Sequence, residues 1–169
     1  MVGVSRSLVQ GWSEVAELAD LPLRRVDWSL TAAQRALHQL TQAWDGDLAW
    51  LVMEEKSLRL LLFRQGVPEV DHALEELDPL ACQREIRSCI AGWQARADMP
   101  SVLGWWLSVP SEQVDDWMPL VDGAAGECCL NQPLPVWAEP SDDGTAGEVT
   151  DVPSPLQQLA LLVLHQEEQ

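Results

Sequence analysis

Carboxylates are the most abundant reactive groups in this chain, and their spacing decides what they can do. Twenty-seven Asp and Glu stand against ten Lys and Arg in 169 residues. Four adjacent acidic pairs occur, at Glu54-Glu55, Glu75-Glu76, Asp115-Asp116 and Asp142-Asp143. General acid–base work brings two carboxylates to one substrate atom from separate elements, whereas neighbours on a helix or strand point apart. Solvated charge is therefore the reading of all four pairs. The histidines, His38, His72 and His165, are isolated and show no metal-ligand spacing. Cys82 and Cys89 lie seven apart, on one face of a helix, and read as small core residues. Cys128 and Cys129 are adjacent and point to opposite faces of a strand. No Cys-x-x-Cys, phosphate-binding glycine loop or Gly-x-Ser-x-Gly elbow is present. No catalytic centre, cofactor site or metal site is expected, and the chain reads as a non-enzyme.

Charge narrows the choice of partners. The net charge is −17, and all ten basic residues lie at or before Arg96. Such a chain repels phosphate backbones, so nucleic acid is a poor partner. The acidic C-terminal part reads first as a solubility device and second as a docking surface for a basic partner. No apolar run reaches the length of a membrane span, and Met1–Ser13 lacks the apolar core of a signal peptide. The expectation is a cytoplasmic protein with no direct membrane insertion.

The elements that must carry these residues follow from periodicity. Leu8, Val9, Trp12, Val15, Ala16 and Ala19 give an amphipathic helix over Arg6–Ala19, ended at Pro22. Leu23–Trp28 reads as a short strand. Ser29 or Thr31 caps the next helix, whose stripe is Ala33, Ala36, Leu37, Leu40 and Trp44. Leu48–Met53, Leu58–Phe63 and Val67–Leu74 read as a meander, joined at Glu54-Glu55-Lys56 and Gln65-Gly66. A long helix over Pro79–Ala97 presents Cys82, Ile86, Cys89, Ile90, Trp93 and Ala97 inward. A strand lies within Ser101–Val109, and Ser111 caps a short helix bearing Val114, Trp117, Met118 and Val121. Cys128–Leu130 and Leu134–Trp137 read as extended. Glu139–Asp151 is an acidic flexible loop. Pro155 opens a last helix with Leu156, Leu159, Ala160, Val163 and Leu164 inward. Most of the nine tryptophans fall on inner faces. Trp105 and Trp106 point to opposite faces of one strand, which makes one of them a candidate contact residue.

The resulting β-β-β-α-β-α-β-α order, preceded by a helix–strand–helix extension, is that of an actin-like (ribonuclease-H-like) half-domain with a mixed sheet. Short stretches add a more particular resemblance. Val15 to Asp27 resembles the helix-to-strand stretch of PilM-type type IV pilus assembly proteins. Arg35-Ala36-Leu37 falls in the helix that follows. Gly46 to Val52 sits where that family begins its second half-domain, and Leu58–Gly66 resembles its second strand and turn. Arg84-Glu85-Ile86-Arg87 is similar to the start of its next helix, and Pro153–Leu164 to its closing helix. Three parts follow: 1–45 packing on the main domain, 46–138 with 152–169 as the half-domain, and 139–151 as the loop.

The departures from that family bear on activity. Its phosphate-holding turn is replaced here by Met53-Glu54-Glu55-Lys56-Ser57, where glutamates repel phosphate. Its adenosine-loop glycine pair is replaced by Leu107-Ser108-Val109-Pro110. The first half-domain is missing, as in a reduced relative or in a chain whose start lies upstream of Met1. ATP with magnesium is expected to bind weakly or not at all.

The resemblance implies a non-catalytic scaffold at the cytoplasmic face of the inner membrane, docking the cytoplasmic tail of a membrane partner. Self-association is a second expectation. Trp12, Arg24, Arg25, Trp28 and Arg35 are the candidate protein-binding residues, the arginines attracting an acidic tail or a second acidic copy. One alternative is a divergent phosphotransferase using Asp27, Asp47 and Glu85 around magnesium. Another is an acidic regulatory adaptor with no pilus connection.

Overall fold

A computed structural model describes residues 5–19, 29–54, 57–97, 102–121, 127–134 and 153–166. The expected strand Leu23–Trp28, the turn residues Glu55 and Lys56, the acidic loop Glu139–Asp151 and all but the first residue of Leu134–Trp137 lie outside the described residues.

The first helix, α1, spans Arg6–Leu18, and α2 spans Ser29–Leu40. The meander follows as β1 (Asp47–Glu54), β2 (Ser57–Arg64) and β3 (Val67–Leu74). Then come α3 (Pro79–Gln94), β4 (Leu103–Ser108), a 3-10 turn (Ser111–Gln113) and α4 (Val114–Val121). The two-residue strand β5 (Cys128–Cys129) and α5 (Pro155–Gln166) complete the order. The strands form one sheet in the order β3-β2-β1-β4-β5. β1, β2 and β3 run antiparallel, and β4 and β5 add in parallel to β1.

Alternation along the central strands divides the core in two. Ala49, Leu51, Leu60, Leu62, Trp105 and Leu107 face α3 and α4. Leu48, Trp50, Val52, Leu61, Phe63 and Trp106 face α2 and α5, which pack on each other. Both faces are covered, so β1 and β4 read as unbroken apolar runs rather than alternating ones. Neither Trp105 nor Trp106 is a contact residue: they are 0% and 1% exposed, one in each core. A strand flanked by helices on both faces buries both sides of its pleat, and that overturns the contact reading.

Local chemistry sets the boundaries. Asp78 caps α3 by accepting from the Ala81 amide at 2.9 Å, with Pro79 at the first helical position. Ser154 and Gln157 form a reciprocal capping box at α5. Ser111 is not a helix cap: it opens the 3-10 turn that leads into α4, and its hydroxyl meets Glu112 at 3.4 Å. Gln65 and Gly66 both take positive φ, 51° and 76°, which closes β2–β3 as a two-residue hairpin. Between Leu62 and Phe63 the β3 register slips by one residue, leaving Glu69 as the extra residue of a bulge.

Candidate functional site

The C-terminal ends of β1 and β4 are where the resemblance implies nucleotide phosphates. Glu54 pairs with Ser57 across the β1–β2 hairpin, so only two residues form that turn. At the end of β4, Ser108 is buried and accepts the Trp50 indole N–H at 2.9 Å. Val109 is buried beside it, and Pro110 supplies no amide. An apolar, closed strand end replaces the open glycine loops a phosphate needs.

The spaced carboxylates go to separate places. Asp47 begins β1 and is 4% exposed. Its carboxylate lies 3.7 Å from Arg64 Nε, and Arg64 also meets Glu69 at 3.3 Å. The Arg64 guanidinium lies over the Trp93 ring at 4.6 Å, and Trp93 Nε1 donates to Glu69 at 2.7 Å. The bulge therefore aims Glu69 at the α3 side of the sheet. Burial holds the Asp47 carboxyl above the usual value of 3.8, a rise that Arg64 opposes. Glu85 lies on α3 and pairs with His72 Nε2 at 2.7 Å. His72 sits opposite Leu60 and Leu60 opposite Leu51, four residues along the strand from Asp47. That offset is about 13 Å at strand rise. Asp47 and Glu85 are therefore not brought to one centre, and Asp27 lies outside the described residues. No group of three His, Cys, Asp or Glu among the described residues is arranged to hold a metal ion.

A second ion pair lies at the far side of α3. Arg87 Nη1 donates to both Glu127 oxygens at 2.9 Å, and Trp105 Nε1 donates to the same carboxylate at 2.8 Å. Arg87 also donates to the Leu120 carbonyl, which ties α3 to α4. Burial raises the Cys82 and Cys89 thiols above their ordinary value. Neither is an activated nucleophile.

A concave surface with an apolar floor lies where α2 ends. Its volume is about 390 Å³. Leu37, Trp44, Leu48 and Phe63 supply the floor, and Gln34, His38, Asp45 and Gln65 the rim. Trp44 is held by donation from its Nε1 to the Asp47 carbonyl at 2.9 Å. Gly104 admits the indole, since a Cβ there would lie 2.9 Å from its ring. Gly66 brings the hairpin up to His38, whose ring lies 3.0 Å from where a Cβ would stand. These lining residues come from α2, the segment leading into β1, and the strands and turn of the β1–β3 meander, and no motif or spacing marks that they meet.

Two of the candidate protein-binding residues, Trp12 and Arg35, lie among the described residues. Trp12 projects from α1 and is 62% exposed, beside Val15 and Leu18, which are also exposed. Arg35 is half-buried on α2. Arg24, Arg25 and Trp28 lie outside the described residues.

Sheet order and the division of helices between its faces define an actin-like, ribonuclease-H-like α/β fold. Among solved structures, the chain is similar to a Bacteroides thetaiotaomicron VPI-5482 protein with an actin-like ATPase fold and unknown function. The two share 8% identity at a TM-score of 0.50, over 70% of this chain and 44% of that one. The chain thus spans under half the length of the neighbour it matches. No protein-family model matches the chain. No curated protein matches it either. No helix among the described residues is long and apolar enough to cross a membrane.

Proposed function

We propose that this chain is a non-catalytic actin-like half-domain that works by binding another protein. The observation that carries this reading is the β1–β2 turn, where Glu54 and Ser57 pair around only two residues. The two residues between them, Glu55 and Lys56, include no glycine to let backbone amides close on a phosphate, which supports the non-catalytic reading. The PilM-like stretches refine the proposal to a scaffold in type IV pilus assembly, held at the cytoplasmic face of the inner membrane by the tail of a membrane partner. The exposed apolar face of α1, with Trp12 at its centre, supports a binding role.

Isothermal titration tests the reading in two arms. ATP with magnesium should give no heat or only weak binding. A micromolar dissociation constant, on the order of −8 kcal/mol, would overturn the proposal and revive the phosphotransferase. The cytoplasmic tail peptides of inner-membrane pilus-assembly proteins from the same genome should include one that binds. If none does, the pilus assignment fails and the adaptor alternative takes its place. Replacing Arg24 and Arg25 by Glu should weaken capture of that tail without changing the melt, if that segment is the contact.

A further inference from the structure

We infer that the cavity at the end of α2 is a receptor for an arginine side chain of a partner protein. The inference rests on the scaffold reading and names the chemistry of the partner. Three independent features converge on a cation with a flat, partly apolar body.

The first is charge. No Lys or Arg lines the cavity, and the Asp45 carboxylate on its rim is exposed. Asp45 makes no hydrogen bond or ion pair with any described residue. The last turn of α2 contributes Leu37 and His38 to the lining, and Thr41 follows directly. A helix C-terminus carries about half a negative charge, which adds to the carboxylate. A chain of net charge −17 further draws cations towards itself.

The second feature is shape. The Phe63 and Trp44 rings with Leu37 and Leu48 form an apolar floor. A guanidinium with its three-carbon stem suits such a floor, because it is planar, weakly hydrated and stacks on aromatic faces. A lysine ammonium is a compact, strongly hydrated charge and gains less there. The volume of about 390 Å³ exceeds one side chain, so the flanking peptide backbone enters as well.

The third feature is the rim. Gln34 and Gln65 line it, and neither side chain has a hydrogen-bond partner among the described residues. Five guanidinium N–H groups in a fixed fork match several acceptors at once. Gln65 also sits at φ 51°, where Asn, Asp or Gly is the ordinary choice. A glutamine at this left-handed turn position places a polar side chain over the cavity where glycine would be the easier backbone choice, which fits a contact role.

The test uses the full chain, ¹⁵N-labelled, titrated with the peptide Ac-Ala-Ala-Arg-Ala-Ala-NH2 at low salt. Saturable shifts should centre on Gly46, Gly66 and the Trp44 indole N–H. The same peptide with citrulline for arginine is isosteric and neutral, and should not shift them. Asp45→Asn should weaken binding by about threefold or more, the scale of a surface ion pair. Gln65→Gly should also weaken it, while leaving the melt unchanged or raised, because glycine prefers that backbone. Equal binding of citrulline, or unchanged affinity in Asp45→Asn, would overturn the inference. Spermidine competing as well as the arginine peptide would show general cation attraction and overturn it too. A pilus tail that binds with shifts elsewhere defeats this inference and leaves the scaffold reading standing. ATP binding alongside arginine-specific shifts does the reverse.

Discussion

Glu127 is held by two donors brought from elsewhere in the sequence, Arg87 and Trp105. Its side chain is 9% exposed, against 27% for Arg87. Removing the arginine strands a carboxylate that can no longer be hydrated well. Arg87→Met should therefore cost about 2–3 kcal/mol, reduced from the full buried-pair penalty by the exposure of Arg87. Urea denaturation measures it. Asp47 behaves in the opposite sense. Burial raises its carboxyl above 3.8, so the folded chain holds that proton more tightly than the unfolded one. Its contribution is fully present below the unfolded value and is lost as pH rises through the folded value. Asp47→Asn removes that loss, so its stability relative to the parent should rise as pH climbs above the ordinary carboxylate value of 3.8. A difference that is flat or falls with pH would show that Arg64 outweighs burial. None of these pairings was legible in the sequence. His72 looked isolated because Glu85 lies thirteen residues on, beyond a turn, and the burial of Asp47 was hidden because the residues that cover it come from other elements.

Elements were far more legible, and for a stated reason. The runs at Leu48–Met53 and Leu58–Phe63 came through because strands covered on both faces carry no polar alternation to confuse them. The α3 start was read at Pro79, while the Asp78 cap before it and the end at Gln94, short of the expected Ala97, show only in the structure. Helix α1 illustrates the converse. Its apolar spacing is regular, yet Trp12, Val15 and Leu18 remain exposed, because periodicity reports that a face exists and not what covers it. Thirteen residues is near the length at which an isolated helix is marginal in water. Amides of α1 should accordingly exchange with deuterium much faster than those of α3, as mass spectrometry would read. Trp12→Ser should change unfolding stability by less than about 0.5 kcal/mol, the range of ordinary surface changes. Equal protection of α1 and α3 would mean that its apolar face is covered in solution.

Across the whole molecule, excess negative charge and a two-sided core oppose one another. Like charges destabilise the compact state, and salt screens them within about 8–10 Å at physiological strength. The melting temperature should therefore rise as sodium chloride is added at neutral pH, and a fall would show that attractive pairs such as Arg87–Glu127 dominate. The fold class was readable from element order alone. The cavity was not, since it joins α2 to a hairpin some two dozen residues later through the shape of the sheet. Asn131 has a consequence for assembly. Its carboxamide accepts from the Leu107 amide and donates to the Leu107 carbonyl, each at 2.8 Å. One side chain thus does for β4 what another strand would do, just past the two residues of β5. An incoming chain finds no vacant ladder at Leu107, and the opposite margin offers only β3, with Pro68 and the Glu69 bulge. Growth of this sheet from copy to copy is thus limited to the two residues of β5 at one margin and meets a residue without an N–H and a bulge at the other.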